Sequence, residues 1–140
     1  MVRLASVQRV KKAAAEAALL SARLAEAEAL TAEQEAKART EAAQLEWGAH
    51  LSGAAFSPEF SGALASLVIQ SETQASDASG RRARAAELAA RRQGDWQLSD
   101  ARSRSGEDSL RLLRRRVRRR AEEDRLAEMA DRVTFDWSQT

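Results

Sequence analysis

Apolar and small residues recur at alternating spacings of three and four along the first third of the chain. The series comprises Val10, Ala13, Ala17, Leu20, Leu24, Ala27, Thr31, Gln34, Ala38, Glu41 and Leu45. This heptad spacing places its members along one side of an α-helix. Because residues of high helix propensity fill this region, the sequence predicts a helical arm over about residues 3–51 with this series as its buried seam.

A turn and a new helix start follow the first arm. Ser57 is a suitable N-cap and Pro58 suits the first helical position. Phe56 and Phe60 flank the cap and can pack against each other across it. Apolar residues then recur at helical spacing, at Leu64, Leu67 and Val68. The pattern predicts a short helical segment at the tip, over about residues 52–80.

A second arm is predicted over about residues 81–132. Its clearest stripe is Leu110, Leu113, Val117 and Ala121, spaced three, four and four apart. We expect this stripe to be buried against the first arm. Since glycine disfavours helix interiors, bends are predicted at Gly80, Gly94 and Gly106. The tail, residues 133–140, is either a frayed terminus or a short docking motif.

Two long arms around a short middle predict an all-α fold. The expected architecture is an elongated antiparallel two-helix coiled-coil hairpin with a short helical segment at the tip, forming a single domain. Aromatic residues make up 4% of the chain, too few for a thick globular core, so the seam should be narrow.

Charge is concentrated in the second arm, although the net charge is only +2. Seven of the ten residues 111–120 are arginine. Four acid–arginine pairs have helical spacing, Glu107–Arg111, Arg118–Glu122, Arg119–Glu123 and Arg120–Asp124. Such pairs neutralise part of the run. Arg114, Arg115 and Arg116 have no acid four residues away, which leaves them available to an external acidic partner.

The sequence offers little material for catalysis. It has no cysteine, and His50 is its single histidine, which we interpret as incidental to a turn. We therefore expect no enzyme, no cofactor and no metal site. The sequence shows neither a signal peptide nor an apolar run of about 20 residues, which predicts a cytoplasmic protein.

The arginine run has three interpretations, which differ in what the arginines contact: nucleic acid, solvent or an acidic protein. A DNA-binding basic helix requires a following zipper, and single-stranded nucleic acid requires interleaved aromatic residues; both are missing. A solvated coiled-coil face is a second interpretation. Docking on an acidic protein is the interpretation that we favour.

The layout of the chain resembles the flagellar export protein FliJ family. The features that carry the resemblance are the alanine- and glutamate-rich first arm, the aromatic helix start in residues 56–68, the Asp95-Trp96-Gln97 return and the basic helix of residues 110–132. Relatives in injectisome-type secretion have a similar layout. The resemblance implies a coiled-coil stalk at the cytoplasmic face of the inner membrane. Its implied partners are the export ATPase ring, the cytoplasmic domain of the export gate, and export chaperones.

The resemblance also implies which residues bind these partners. The ATPase-facing set is Arg111, Arg114, Arg115 and Arg118, and the charge pattern adds Arg116 to the expected partner-binding residues. The gate-facing set is Leu45, Leu51, Phe60, Leu64, Leu67 and Val68. Two alternatives remain open, a structural homodimeric coiled-coil scaffold and a basic nucleic-acid-binding helix.

Overall fold

A computed structural model describes the backbone of residues 2–138 and the side chains of residues 5–138. It contains two α-helices, α1 (Val2–Ser52) and α2 (Pro58–Ser138), and no strand among the described residues. Residues 53–57 form the turn between the helices. The predicted all-α class and the pairing of two long helices are confirmed.

The chain packs as two compact units, residues 14–96 and residues 1–13 with 97–140. We call them the hairpin unit and the terminal unit. Each unit pairs α1 with α2 in antiparallel register, as cross-helix contacts show. In the hairpin unit these contacts are Trp47–Ser61, Gln44–Glu72 and Arg23–Gln93. In the terminal unit they are Lys12–Asp100 and Arg9–Glu107.

The seam of α1 differs from the predicted one. Apart from Ala18, which is half-buried, the buried and half-buried positions of the described side chains repeat at heptad spacing. They are Ala5, Gln8, Lys12, Ala15, Leu19, Ala22, Glu26, Ala29, Glu33, Ala36, Thr40, Ala43, Trp47 and His50. Every member of the predicted series is exposed, with Val10 at 69% and Leu24 at 66%. The predicted seam is therefore wrong, and its leucines form an outer stripe on α1.

Side-chain size and charge explain which face of α1 is buried. The facing seam of α2 is built mainly from small residues between Ser71 and Ala89. Alanines on α1 can approach such a surface closely, whereas leucines would hold the helices apart. The buried α1 face also brings Glu33 to cationic and hydroxyl groups of α2. These contacts offset the low apolar area of an alanine seam.

α2 is one uninterrupted helix of 81 residues. The predicted tip segment and second arm are joined within it, and the helix is not broken at Gly80, Gly94 or Gly106. No glycine among the described residues has a positive φ. A helix tolerates isolated glycines when the flanking turns pack against a partner.

Beyond Leu110, α2 leaves its pairing with α1. Every described side chain from residue 111 to residue 138 is exposed. The expectation that Leu113, Val117 and Ala121 are buried is therefore wrong, whereas Leu110 is half-buried. Leu110 lines a groove together with Ala5 and Gln8 of α1 and with Ser109, which accounts for its partial burial. We call residues 111–138 the overhang.

The tail predicted at residues 133–140 is helical as far as Ser138, and its last two residues lie outside the described range. Within the described residues, neither helix has a stretch long and apolar enough to cross a membrane.

Candidate functional site

The overhang contains all five predicted partner-binding arginines. Arg111, Arg114, Arg115 and Arg118 line one shallow groove of about 210 Å³. Their spacing of three and four residues places them on one side of the helix. Arg116 does not line this groove, because it lies roughly 100° further around the helix than Arg115. We call the four-arginine surface the basic groove.

The arginines of the overhang are less neutralised than the spacing of acids predicted. Glu107 pairs with Arg9 across the helices at 3.4 Å, and Arg111 pairs with Asp108 at 3.7 Å. The predicted Glu107–Arg111 pair is therefore wrong. The other three predicted pairs do not form within 4.0 Å among the described residues. The basic charge of the overhang faces solvent along its whole first half.

At the turn of the hairpin unit, Ser57 caps α2 as predicted. Its hydroxyl accepts a hydrogen bond from the Phe60 amide at 3.4 Å, and its carbonyl accepts one from the Ser61 amide at 2.9 Å. These contacts satisfy amide groups that the first turn of a helix leaves unpaired. Pro58 occupies the first helical position.

His50 organises the turn and is not incidental. Its ring stacks on Phe56 at a centroid distance of 5.6 Å and meets Phe60 edge-on at 4.8 Å. Nε2 lies 3.3 Å from the Ser57 amide nitrogen and 3.1 Å from the Ser57 carbonyl. The Ser57 amide can only donate, so Nε2 is its acceptor in the tautomer that has its proton on Nδ1. A histidine therefore joins the predicted pair of phenylalanines around the cap.

The predicted gate-facing residues do not form one surface. Leu64 and Val68 are buried between the helices and are not accessible to a partner in this structure. Leu45, Leu51, Phe60 and Leu67 are exposed. Leu45 lines a groove with Gly48 and Ala49, whereas Leu67 lines a different groove with Glu46.

A buried carboxylate holds the hairpin unit together. Glu33 contacts Lys37 at 2.8 Å and Arg82 at 3.4 Å, and it accepts a hydrogen bond from the Ser79 hydroxyl at 2.6 Å. The hydrogen bonds from Lys37 and Ser79 lower the pKa of Glu33 below its ordinary value, against the opposing effect of burial. The carboxylate thus stays ionised in the seam.

The terminal unit contains a second site of this kind. Asp100 is buried and contacts Lys12 of α1 at 2.6 Å and Arg104 of α2 at 2.8 Å. The Lys12 ammonium is the main cause that lowers the pKa of Asp100. Each unit therefore has one buried carboxylate that pairs with a cation on the facing helix.

Sequence reasoning missed the roles of three residues, His50, Glu33 and Asp100. On α1 it followed a stripe with large apolar residues, and that stripe lies on the outside. The signal that could have found two of them is the heptad series that starts at Ala5, which contains both Glu33 and His50. Acidic residues at seam positions predict cations on a partner helix.

The site is suited to non-covalent recognition. Guanidinium groups bind carboxylates and phosphates through paired hydrogen bonds, and four of them converge in the basic groove. Across the described residues, no group of three or more histidines and acids is placed to hold a metal ion.

Comparisons of the chain with protein-family models, curated proteins and solved structures find no match. The resemblance to the FliJ family therefore rests on the layout of the sequence.

Proposed function

We propose that this chain is a non-enzymatic component of the flagellar type III protein export apparatus. In this role it couples the export ATPase ring to the export gate at the cytoplasmic face of the inner membrane and escorts export chaperones. The observation that carries the proposal is the overhang, a helix exposed along residues 111–138 with seven arginines in its first ten positions.

The first step of the proposed mechanism is electrostatic docking. The basic groove and the exposed arginines beside it match acidic loops that line a protein ring. A helix exposed on all sides can be contacted by several subunits at once, which suits insertion into a ring better than docking on a flat surface. Long-range attraction between opposite charges would also speed the encounter.

The second step is mechanical. A helix pair transmits a displacement only if its register is held, and an alanine seam holds register weakly because its residues are alike. Glu33 with Arg82, and Asp100 with Lys12, provide specific cross-helix contacts in the two units. In the proposal these contacts keep α1 and α2 from sliding when the ring turns or changes shape.

The third step is contact with the export gate by the exposed apolar residues near the turn. These are Leu45, Leu51, Phe60 and Leu67. Leu64 and Val68 are buried in the seam and would not touch the gate in this structure. Because Leu45 and Leu67 line different grooves, the gate would have to contact the exposed residues at more than one place.

The decisive experiment measures ATP hydrolysis and ring formation by the flagellar export ATPase of the source organism, with and without the purified chain. We expect the chain to increase both. Binding of the export-gate cytoplasmic domain is measured in parallel. If neither ATPase property changes and no complex with the gate domain forms, the proposal fails.

A second candidate function is a structural scaffold that associates through α1. The outer stripe of α1 favours it, because Val10, Leu20 and Leu24 are exposed at heptad spacing. Replacing one of these, Leu24→Lys, discriminates between the candidates. It should abolish association of a scaffold, whereas an export component should retain ATPase stimulation.

A further inference from the structure

The two halves of the overhang have opposite charge. Residues 111–120 contain seven arginines and no acid, whereas residues 121–138 contain six acids and two arginines. All of these side chains are exposed. Most helical stability in proteins comes from packing of one face, so a surface that covers the overhang would add to its stability.

One face of the overhang is apolar in its N-terminal half and acidic in its C-terminal half. Leu113, Val117 and Ala121 are followed along the same side of the helix by Asp124, Glu128 and Asp131, at continuous spacings of three and four. We call this side face A. Its apolar part lies in the basic half of the overhang, and its acidic part lies in the other half.

The far side of the helix has the complementary order. Leu112, Arg116, Arg119 and Glu123 are followed by Leu126, Ala130 and Val133, again at spacings of three and four. We call this side face B, and it lies about 140° around the helix axis from face A. Face B is mainly basic where face A is apolar, and apolar where face A is acidic.

These two orders are complementary when one overhang lies antiparallel on another. With Ala121 of face A opposite Leu126 of face B, Val117 comes opposite Ala130, and both apolar parts are covered. The acidic part of face A then lies opposite the basic part of face B.

In the same alignment Glu128 of face A meets Arg119 of the second copy, and Asp131 meets Arg116. One unfavourable pair results, Asp124 against Glu123. Opposite charges at these positions reinforce the apolar contacts and select the antiparallel direction.

We propose that the overhang associates with a second copy of itself, face A of one chain on face B of the other in antiparallel orientation. Because the contacting faces differ, each pair leaves one face A and one face B uncovered, so association continues beyond a dimer. This inference does not depend on the proposed function. Self-association and docking on a partner would use the same surface and would therefore compete.

Sedimentation of the full chain tests the inference, at several protein concentrations and at low and high salt. We expect species larger than a dimer that grow with concentration and weaken with salt. Glu128→Lys with Asp131→Lys should weaken association by about tenfold or more, and Arg116→Glu with Arg119→Glu should do the same. Circular dichroism checks that each variant remains helical.

The most discriminating measurement is on a mixture of the two charge-reversed variants. Alone, each variant should associate at least about tenfold more weakly than the unmodified chain, because like charges then face each other. In the mixture, reversed face A meets reversed face B and the original faces meet as well, so association should return. Leu24→Lys on the outer stripe of α1 is the matched control and should leave association unchanged.

Three outcomes would overturn the inference. The first is a monomer at every concentration and salt. The second is association that survives both reversals or does not return in the mixture. The third is association that Leu24→Lys abolishes, which would assign it to α1 and support the scaffold candidate.

Discussion

The carboxylate of Glu33 on α1 lies 3.4 Å from the guanidinium of Arg82 on α2, and the Glu33 side chain is only 4% exposed. This pair sets the register of the hairpin unit. If α2 slid by one heptad in either direction, Ala75 or Ala89 would take the place of Arg82. Glu33 would then be buried without its cross-helix cation, which is costly.

Stability should fall in acid because of the two buried carboxylates. The pKa values of Glu33 and Asp100 are lower in the folded state than their ordinary values. Their stabilisation is therefore present above the ordinary pKa of about 4 and is lost as pH falls through the folded values. Urea unfolding midpoints measured from neutral pH to below about pH 3 should show this loss.

A variant with Glu33→Gln and Asp100→Asn should be less stable at neutral pH and should lose less stability on acidification. Glu35→Gln is the matched control, because Glu35 is an exposed neighbour of Glu33. Equal acid sensitivity of the double variant and the unmodified chain would show that these carboxylates do not control the response.

Substitution of two adjacent leucines, Leu19 and Leu20, tests which face of α1 is buried. Leu19 is 6% exposed and Leu20 is 57% exposed. Leu19→Ala should lower the free energy of unfolding by about 2–3 kcal/mol, because it removes a buried side chain from a seam poor in large residues. Leu20→Ala should change it by less than about 0.5 kcal/mol. Thermal or urea unfolding measures both, and the reverse order would restore the seam predicted from the sequence.

Replacing His50 tests its part in the turn. His50→Ala removes the two ring contacts and leaves the Ser57 amide without its acceptor. We expect a loss of about 1–2 kcal/mol in unfolding free energy. Amide exchange should also quicken selectively in residues 50–61, where the contacts converge. Leu51→Ala at the exposed next position is the control, and a matching loss there would mean that His50 has no special part.

Glycines inside α2 offer stabilising substitutions. At Gly80 and Gly94 an added Cβ would meet nothing within 4 Å. Gly80→Ala and Gly94→Ala should each raise the free energy of unfolding by about 0.5–1 kcal/mol, because alanine loses less backbone entropy in a helix. At Gly53 in the turn a Cβ would lie 3.2 Å from the Ala49 carbonyl, so Gly53→Ala should not stabilise. Thermal unfolding of the three variants gives the comparison.

Neutralising part of the arginine run tests docking on an acidic partner. Arg114→Gln, Arg115→Gln and Arg116→Gln together should weaken binding to the export ATPase by about tenfold or more, equal to about 1.4 kcal/mol. Helicity measured by circular dichroism should be unchanged, since glutamine is a good helix former. The control is Arg81→Gln with Arg84→Gln, two exposed arginines of the hairpin unit. An equal loss in the control would indicate a general effect of charge and no specific overhang site.

Local physical chemistry made much of this protein predictable from its sequence. High helix propensity predicts long helices, and the Ser57 cap with Pro58 predicts where α2 begins. Both depend on residues near in sequence, so the structure agrees closely. The run of arginines is likewise a property of the sequence, and its exposure follows from charge.

The face that each helix buries was decided only by the tertiary structure. Several heptad series on α1 have similar alanine content, so propensity and periodicity cannot rank them. The series that contains Glu33 is buried because α2 supplies Arg82 and Ser79 opposite it, together with small residues that allow close approach. Leu113 and Val117 have the spacing of a seam yet are exposed in the overhang, so spacing alone does not decide which stripe is buried. Such contacts join residues that are far apart in sequence, so the periodicity within one helix does not predict them.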